Sequence, residues 1–385
     1  MRILVWHVHG GWMEAFVRGR HEYLLPASSD GGAWGLGRGG RDWPAAAIEV
    51  DLDTLDPASV DAVVLQRPEE IAAVARSLGR RPGVDLAAVY LEHNTPKGDV
   101  PFTLHPLADQ GTIPVVHVTH FNQLFWDTGT ATSTVIEHGV PDPGHLYTGE
   151  QEEMGVVVNE PVRRGRVTGT DLLPGFAGVG PLRVFGMGTE ALPAALNLKG
   201  YGLSEERLHI AGDVQAPKLH QELARCRLYL HPLRWTSLGL ALLEAMHLGM
   251  PVLALATTEA GRAVPHGAGL VSNDVDDHQK FARRLLDDPD DAYAMGMIAR
   301  EAALQRYGLN KFLRAWDELL AELPKGTRRG SRPQSGTAFA GHEANKSHGP
   351  NARHDATARH DSDATHDSNA THDSNATHDT ERTHP

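Results

Sequence analysis

The stretch from His231 to Thr258, HPLRWTSLGLALLEAMHLGMPVLALATT, constrains the fold more than any other part of the chain. It reads as loop, helix, turn and strand. Thr236 or Ser237 offers a short hydroxyl that can accept a hydrogen bond from an amide of a helix's first turn. Leu240 to Leu248 is apolar on nearly every face except at Glu244 and His247, so the spacing predicts a buried helix. Gly249 supplies a left-handed stop, and Pro251 forbids continuation. Val252 to Ala256 is a short apolar run of the kind buried inside a parallel sheet. The unit therefore predicts an α/β protein. Within it Glu244 is a lone carboxylate on an otherwise buried helix, which costs free energy unless something pairs with it.

The rest of the chain shows the same alternation. Residues 2–9 predict a buried strand, Gly10-Gly11-Trp12 a glycine-rich turn, and 13–26 a helix. A strand–glycine–helix unit sets free amides at the strand's carboxyl edge, where α/β sheets bind ligands. Ser28 to Gly40 holds six glycines and reads as a loop; its G-x-G-x-G-G string lacks the preceding strand of a dinucleotide fingerprint. Asp51-Leu52-Asp53 lies in a turn-rich acidic stretch where no apolar strand is expected to end, so it reads as solvated. Strands are expected at 61–66, 86–91 and 114–119, with helices at 68–79 and from His120 onward. The polar cluster Glu92-His93-Asn94-Thr95-Pro96 directly follows an expected strand, which makes it a site candidate. Val135 to Pro141 is the last strand and turn of this half. Beyond it, strands are expected at 154–159, 182–185, 208–214 and 228–232, and helices at 217–226, 277–286, 292–307 and 311–323.

The string S-L-G-L-x-L-L-E-A-M-x-x-G-M-P-V resembles the donor-site motif of family 4 retaining glycosyltransferases, the glycogen-synthase-like group of GT-B fold. The resemblance covers residues 1–323, strongest over 208–272. It implies two Rossmann-like domains with parallel sheets facing a central cleft: an acceptor domain over 1–145 and a nucleotide-sugar domain over 146–323. It implies sugar transfer from a nucleotide-sugar to an acceptor hydroxyl with retention of configuration, without a metal or other cofactor. The acceptor could be a sugar, a lipid or a small molecule. Two rival readings share the fold: a non-catalytic nucleotide-sugar-binding protein and a sugar-nucleotide epimerase.

By the same resemblance Glu244 holds the donor ribose. Thr236 stands where the family has a first Glu, and His93 matches a His that reaches the transferring carbon. Gly10 and Gly11 match the loop against the donor diphosphate, and His138 falls in the hinge. Arg163, Arg164 and Arg166 are guanidinium forks suited to phosphate oxygens. Thr168 replaces a family Lys at the diphosphate. Gly212, Asp213 and Val214 match the base contacts, and Ser237, Leu238, Gly239 and Leu240 the glycine-rich helix start. The family sends its terminal helix back to the first domain.

A formal charge of -13 argues against non-specific attraction to nucleic acid or anionic membrane. No run approaches the roughly 18 apolar residues of a membrane helix, so no stable membrane insertion is expected. The single cysteine, Cys226, fits a reducing compartment, and the cytoplasm is the expected location. From residue 324 the composition turns to Gly, Ser, Asn, Asp, Thr and His, with histidines recurring every six residues from 342 to 384. Such a tail, 324–385, has almost nothing apolar to bury and is expected to be disordered.

Overall fold

A computed structural model of the chain describes residues 1–96 and 103–324. The histidine-rich repeats expected to be disordered lie outside the described residues.

The first half is a seven-stranded parallel sheet. Its strands are β1 (Arg2–Val5), β2 (Glu22–Pro26), β3 (Ala47–Val50), β4 (Ala62–Leu65), β5 (Ala87–Glu92), β6 (Val115–His117) and β7 (Ser133–Val135), ordered β3-β2-β1-β4-β5-β6-β7. Helices α1 (Gly10–Phe16), α2 (Glu69–Leu78) and α3 (His120–Phe125) follow β1, β4 and β6. β4 and β5 are buried along their whole length, which is why each reads as a continuous apolar run.

Four expectations need correction here. The glycines are not a turn before a helix; α1 begins at Gly10 and ends at Phe16. The second part of the expected helix over 13–26 is β2, paired to β1 in parallel with Leu4 against Leu24. Tyr23, Leu24 and Leu25 are buried on both faces of the sheet, and that packing overrides local propensity. A strand does end at Asp51: β3 runs to Val50 beside β2. It is an edge strand with one buried residue in four, too little apolar pattern to read. The stretch after it is still a turn, with the Asp53 amide donating to the Asp51 carboxylate at 2.9 Å. The last strand of this half also stops at Val135, and 136–141 is the crossing to the second half.

The second half is a six-stranded parallel sheet of β8 (Gln151–Val157), β9 (Leu182–Phe185), β10 (Leu208–Gly212), β11 (Cys226–His231), β12 (Val252–Leu255) and β13 (Gly269–Ser272), ordered β10-β9-β8-β11-β12-β13. Short helices α4 (Pro161–Arg164), α5 (Leu173–Ala177) and α6 (Leu192–Ala195) are followed by α7 (Ala216–Leu223), α8 (Leu240–Leu248), α9 (Ala260–Ala263), α10 (Val275–Asp287), α11 (Pro289–Tyr307) and α12 (Leu309–Glu322). α8 spans the residues its sequence predicts, and Gly249 ends it at φ 90. The Gly249 carbonyl lies where a Cβ at Gly296 would stand, 1.9 Å away, so α11 packs its glycine directly on the α8 stop. The cap is not as expected: Gly239 is the residue before α8, and neither Thr236 nor Ser237 caps it.

The chain crosses between the halves twice, side by side. The Val140 amide donates to the Tyr307 carbonyl at 2.9 Å, and Gly139 lies against Phe312. α12 then returns to the first sheet, where Phe312, Trp316 and Leu320 share one core with Trp12 and Phe16.

These topologies fix where ligands can bind. In the first sheet the strand order reverses between β1 and β4, and in the second between β8 and β11. Open parallel sheets bind ligands in the crevice outside such reversals. The loops there are His7 to Gly11 and Gln66-Arg67 on one side, and 158–170 and 232–239 on the other.

Candidate functional site

The two sets of loops meet. A Cβ at Gly11 would stand 2.7 Å from the Leu240 side chain, so the start of α1 touches the start of α8. Thr119 Oγ1, which caps α3, lies 3.2 Å from Ser237 Oγ. The Trp235 ring sits edge-on to Phe121 and Phe125, and its Nε1 donates to the Pro96 carbonyl at 3.1 Å. The Phe121 amide donates to the buried Glu259 carboxylate at 2.8 Å. The cleft is thus closed at one end by contacts between the halves.

On the first-sheet wall, the His9 and His93 rings lie tilted against each other with centroids 3.8 Å apart, and Trp12 meets the His93 ring edge-on at 5.6 Å. Burial pushes the His9 imidazole down to about 4, assisted by His138, Arg67 and His7. Burial likewise holds His93 well below its usual range, assisted by His9 and His138. Both rings are therefore neutral at pH 7. Gln66 fixes which nitrogen of His93 carries the proton. Its Nε2 donates to the Trp6 carbonyl at 2.7 Å, which turns its Oε1 toward His93 Nε2 at 3.2 Å. His93 Nε2 must donate, and Nδ1 is left as a hydrogen-bond acceptor. Gln66→Leu should let His93 exchange between tautomers, seen as averaged imidazole 15N shifts, at a cost of about 0.5–1.5 kcal/mol for the lost hydrogen bond, since the Trp6 carbonyl keeps the Val8 amide at 3.0 Å. Shifts unchanged from the native protein would mean that another group sets the tautomer.

On the facing wall, Glu244 is only partly buried on α8, and no hydrogen bond reaches its carboxylate among the described residues. His220 on α7 is the nearest cation candidate, with Nε2 3.7 Å away. Gly212, Asp213 and Val214 lead from β10 into α7, and Val214 and Leu240 pack against the same core as α8. The His231 ring supports the turn before α8: a Cβ at Gly239 would stand 2.6 Å from it. Burial lowers His231 to about 4. The Leu238 side chain points into the core.

The arginine loop is less open than its sequence implies. Arg166 pairs with Asp171 at 2.8 Å, and Asp171 also holds Arg234. Arg163 lies 3.7 Å from Glu160 on α4, and Arg164 is likewise on α4. Thr168 is buried, donates to the Gly165 carbonyl at 3.0 Å and pairs with Thr170 Oγ1 at 3.0 Å. Its hydroxyl shapes its own loop, which leaves none of it for a phosphate. Thr236 is partly exposed on the loop before α8.

Of the candidates, then, Gly10, Gly11, His93, Ser237, Gly239 and Leu240 lie where the two halves meet, and Glu244 follows one turn into α8. His138 is buried near His9 and lowered to about 4 by burial. His9, Gln66, His220 and Thr119 are cleft residues that the sequence did not single out. Gln66 ends the strand beside β1, a signal that becomes legible only once the strand order is known. Among the described residues no group of three or more His, Cys, Asp or Glu side chains is arranged to hold a metal ion. No described helix is long and apolar enough to cross a membrane.

Residues 179–288 match the family model described as glycosyl transferases group 1. No curated protein matches the chain. Among solved structures, a sucrose-phosphate synthase from Thermosynechococcus elongatus aligns with TM-score 0.65 at 14% identity, covering 84% of this chain and 98% of that one. HepE of Anabaena, solved in complex with UDP, aligns with TM-score 0.63 at 17% identity over 84% of this chain and all, 100%, of its own. WaaG, a glycosyltransferase involved in lipopolysaccharide biosynthesis, aligns with TM-score 0.58 at 15% identity, covering 84% and 100%. At these identities the likeness is one of fold: two parallel-sheet domains of GT-B type.

Proposed function

We propose that this chain is a glycosyltransferase that binds a nucleotide-sugar in the cleft and transfers the sugar to an acceptor hydroxyl. The observation that carries the reading is Glu244, a partly buried carboxylate that receives no hydrogen bond from the described chain. A carboxylate so placed is stabilised by a ligand with two adjacent hydroxyl donors, such as a ribose. The group 1 family match spans this helix, and the HepE neighbour was crystallised with UDP-glucose.

In this reading the first-turn amides of α8 face the leaving diphosphate, since the first amides of a helix lack partners within it. Arg163 and Arg164 on the neighbouring loop add charge. His93 Nδ1 accepts a hydrogen bond from a hydroxyl of the sugar or the acceptor. Rate acceleration would then come from positioning and from stabilisation of the leaving group. Retention of configuration, a hexose donor and metal independence are carried over from the family resemblance, as is a cytoplasmic setting from the single cysteine.

Thermal-shift screening of nucleotide-sugars, followed by product analysis with candidate acceptors, tests the reading. Glu244→Gln should weaken nucleotide binding roughly ten- to a hundredfold, the worth of a hydrogen bond to a charged group, without lowering the melting temperature. Normal donor binding by the variant would refute the ribose assignment.

A second reading has one observation of its own. Thr168 spends its hydroxyl on its own loop, and Arg166 is neutralised by Asp171, so the clamp on this side is weak in charge. That favours a binding protein without transfer. Donor binding with neither hydrolysis, epimerisation nor transfer would decide for it.

A further inference from the structure

We propose that Arg41 forms an anion-binding subsite on the first-sheet wall of the cleft, taking two oxygens of a phosphate or carboxylate group. The subsite deepens the reading above, since it lies in the same cleft.

The placement of Arg41 is built, not incidental. It follows the glycine-rich loop, where Gly39 and Gly40 adopt φ of 57 and 73. Arg38 fastens the segment: its guanidinium donates to the carbonyls of Arg41, Trp43, Pro44 and Ala47. Buried Trp43 ties the segment to α1 by donating from Nε1 to Glu14 at 2.7 Å, and its ring packs on His7. The Arg41 guanidinium is thereby laid against the Cα of Gly10. A Cβ there would stand 2.6 Å from one terminal nitrogen and 2.9 Å from the central carbon. A Cβ at this position would force the guanidinium to move.

Among the described residues the charge has no ion-pair partner. Most arginines of the described chain lie within ion-pair distance of a carboxylate; among the described residues none reaches Arg41. On a chain of net charge -13, this half-buried guanidinium is left without a carboxylate or hydrogen-bond partner among the described residues. Its neighbour along the wall is Gly11, the point where α1 touches Leu240 of α8. An anion held there lies at the meeting of the two halves. A planar fork with preset orientation suits bidentate recognition of phosphate or carboxylate. Two sources carry that chemistry: the diphosphate of a nucleotide-sugar, or an acidic group on the acceptor.

Titration calorimetry with UDP, GDP and inorganic pyrophosphate, and with glucose 6-phosphate against glucose in the presence of saturating nucleotide, separates them. Arg41→Gln should weaken at least one anionic probe five- to fiftyfold and leave glucose unaffected. Arg41→Lys should recover only part of the loss, because the charge is kept and the fork is not. Gly10→Ala should reproduce the loss with the charge retained, by pushing the guanidinium off its seat. Melting temperatures should stay within a few degrees, since the side chain makes no ion pair. Loss of nucleotide and pyrophosphate binding assigns the donor diphosphate as the source; loss of glucose 6-phosphate alone assigns the acceptor. If the native protein binds pyrophosphate or glucose 6-phosphate through Arg41 but no nucleotide, the subsite stands and the transferase reading falls. Anionic probes that bind native and Arg41→Gln protein equally, or that bind neither, overturn the subsite.

Discussion

Trp316→Ala is expected to be among the most destabilising single substitutions in the chain, costing about 3–5 kcal/mol as large-to-small changes of buried aromatics do. Trp316 lies on α12 with 1% of its surface exposed. Its ring meets Phe16 at 5.1 Å, Trp12 at 5.6 Å and Phe312 at 6.3 Å, so the helix that ends the second half is packed into the first. Its Nε1 makes no hydrogen bond among the described residues, so the loss is one of packing, and Trp316→Phe should recover much of it. The consequence reaches the cleft, because Trp12 is the shared wall between Trp316 and His93. Thermal or urea unfolding followed by circular dichroism reads the effect. A cost below 1 kcal/mol would mean that α12 rests on the first half without holding it.

How far the cleft was legible can be judged residue by residue. Leu240 to Leu248 is a helix because it is apolar on nearly all sides and stopped by Gly249, and both signals are local. Glu244 stands out for the same reason: one charge on such a helix is conspicuous without any knowledge of neighbours. The return of α12 to the first half was implied by family resemblance, and the core around Trp316 bears it out.

What the sequence hides is pairing at a distance. β2 contains Tyr23, Leu24 and Leu25 in a row, a run too short to tell helix from strand until β1 is set beside it. β3 shows one buried residue in four because it lies at the sheet's edge. Thr168 reads as a polar residue in a basic loop; only the fold reveals that Thr170 and Gly165 consume its hydroxyl. Gln66 and His93 are 27 residues apart, and their contact requires β4 and β5 to be neighbours. Arg41 is one arginine among many until its partners are counted in space.

Acid should destabilise the fold steeply between pH 6.5 and 4, with histidine titration leading. His9, His117, His138 and His231 are each pushed down to about 4, with burial the first cause in every case, and burial holds His93 well below its usual range. In the unfolded chain these rings titrate near 6.5. Below that pH the unfolded state binds protons that the folded state refuses, so stability rises with pH across this window and is fully present above it. At pH 5 each such ring costs roughly 2 kcal/mol relative to pH 7, and several together cost more than many domains possess. Glu70 opposes them. Burial raises it to about 7, so its protonation on acidification favours the folded state, but it is one group against five. The carboxylates held low by arginines, Asp142 by Arg300 and Glu137 by Arg306, add their losses only at still lower pH. Urea midpoints at pH 7 and pH 5 test the sum, and His117→Leu tests one term. Neither ring nitrogen of His117 has a partner among the described residues, so the substitution should cost little at pH 7 and flatten the slope by about one proton. Equal midpoints at the two pH values would require these rings to be protonated in the folded state, and with that the neutral His93 acceptor in the cleft would be lost as well.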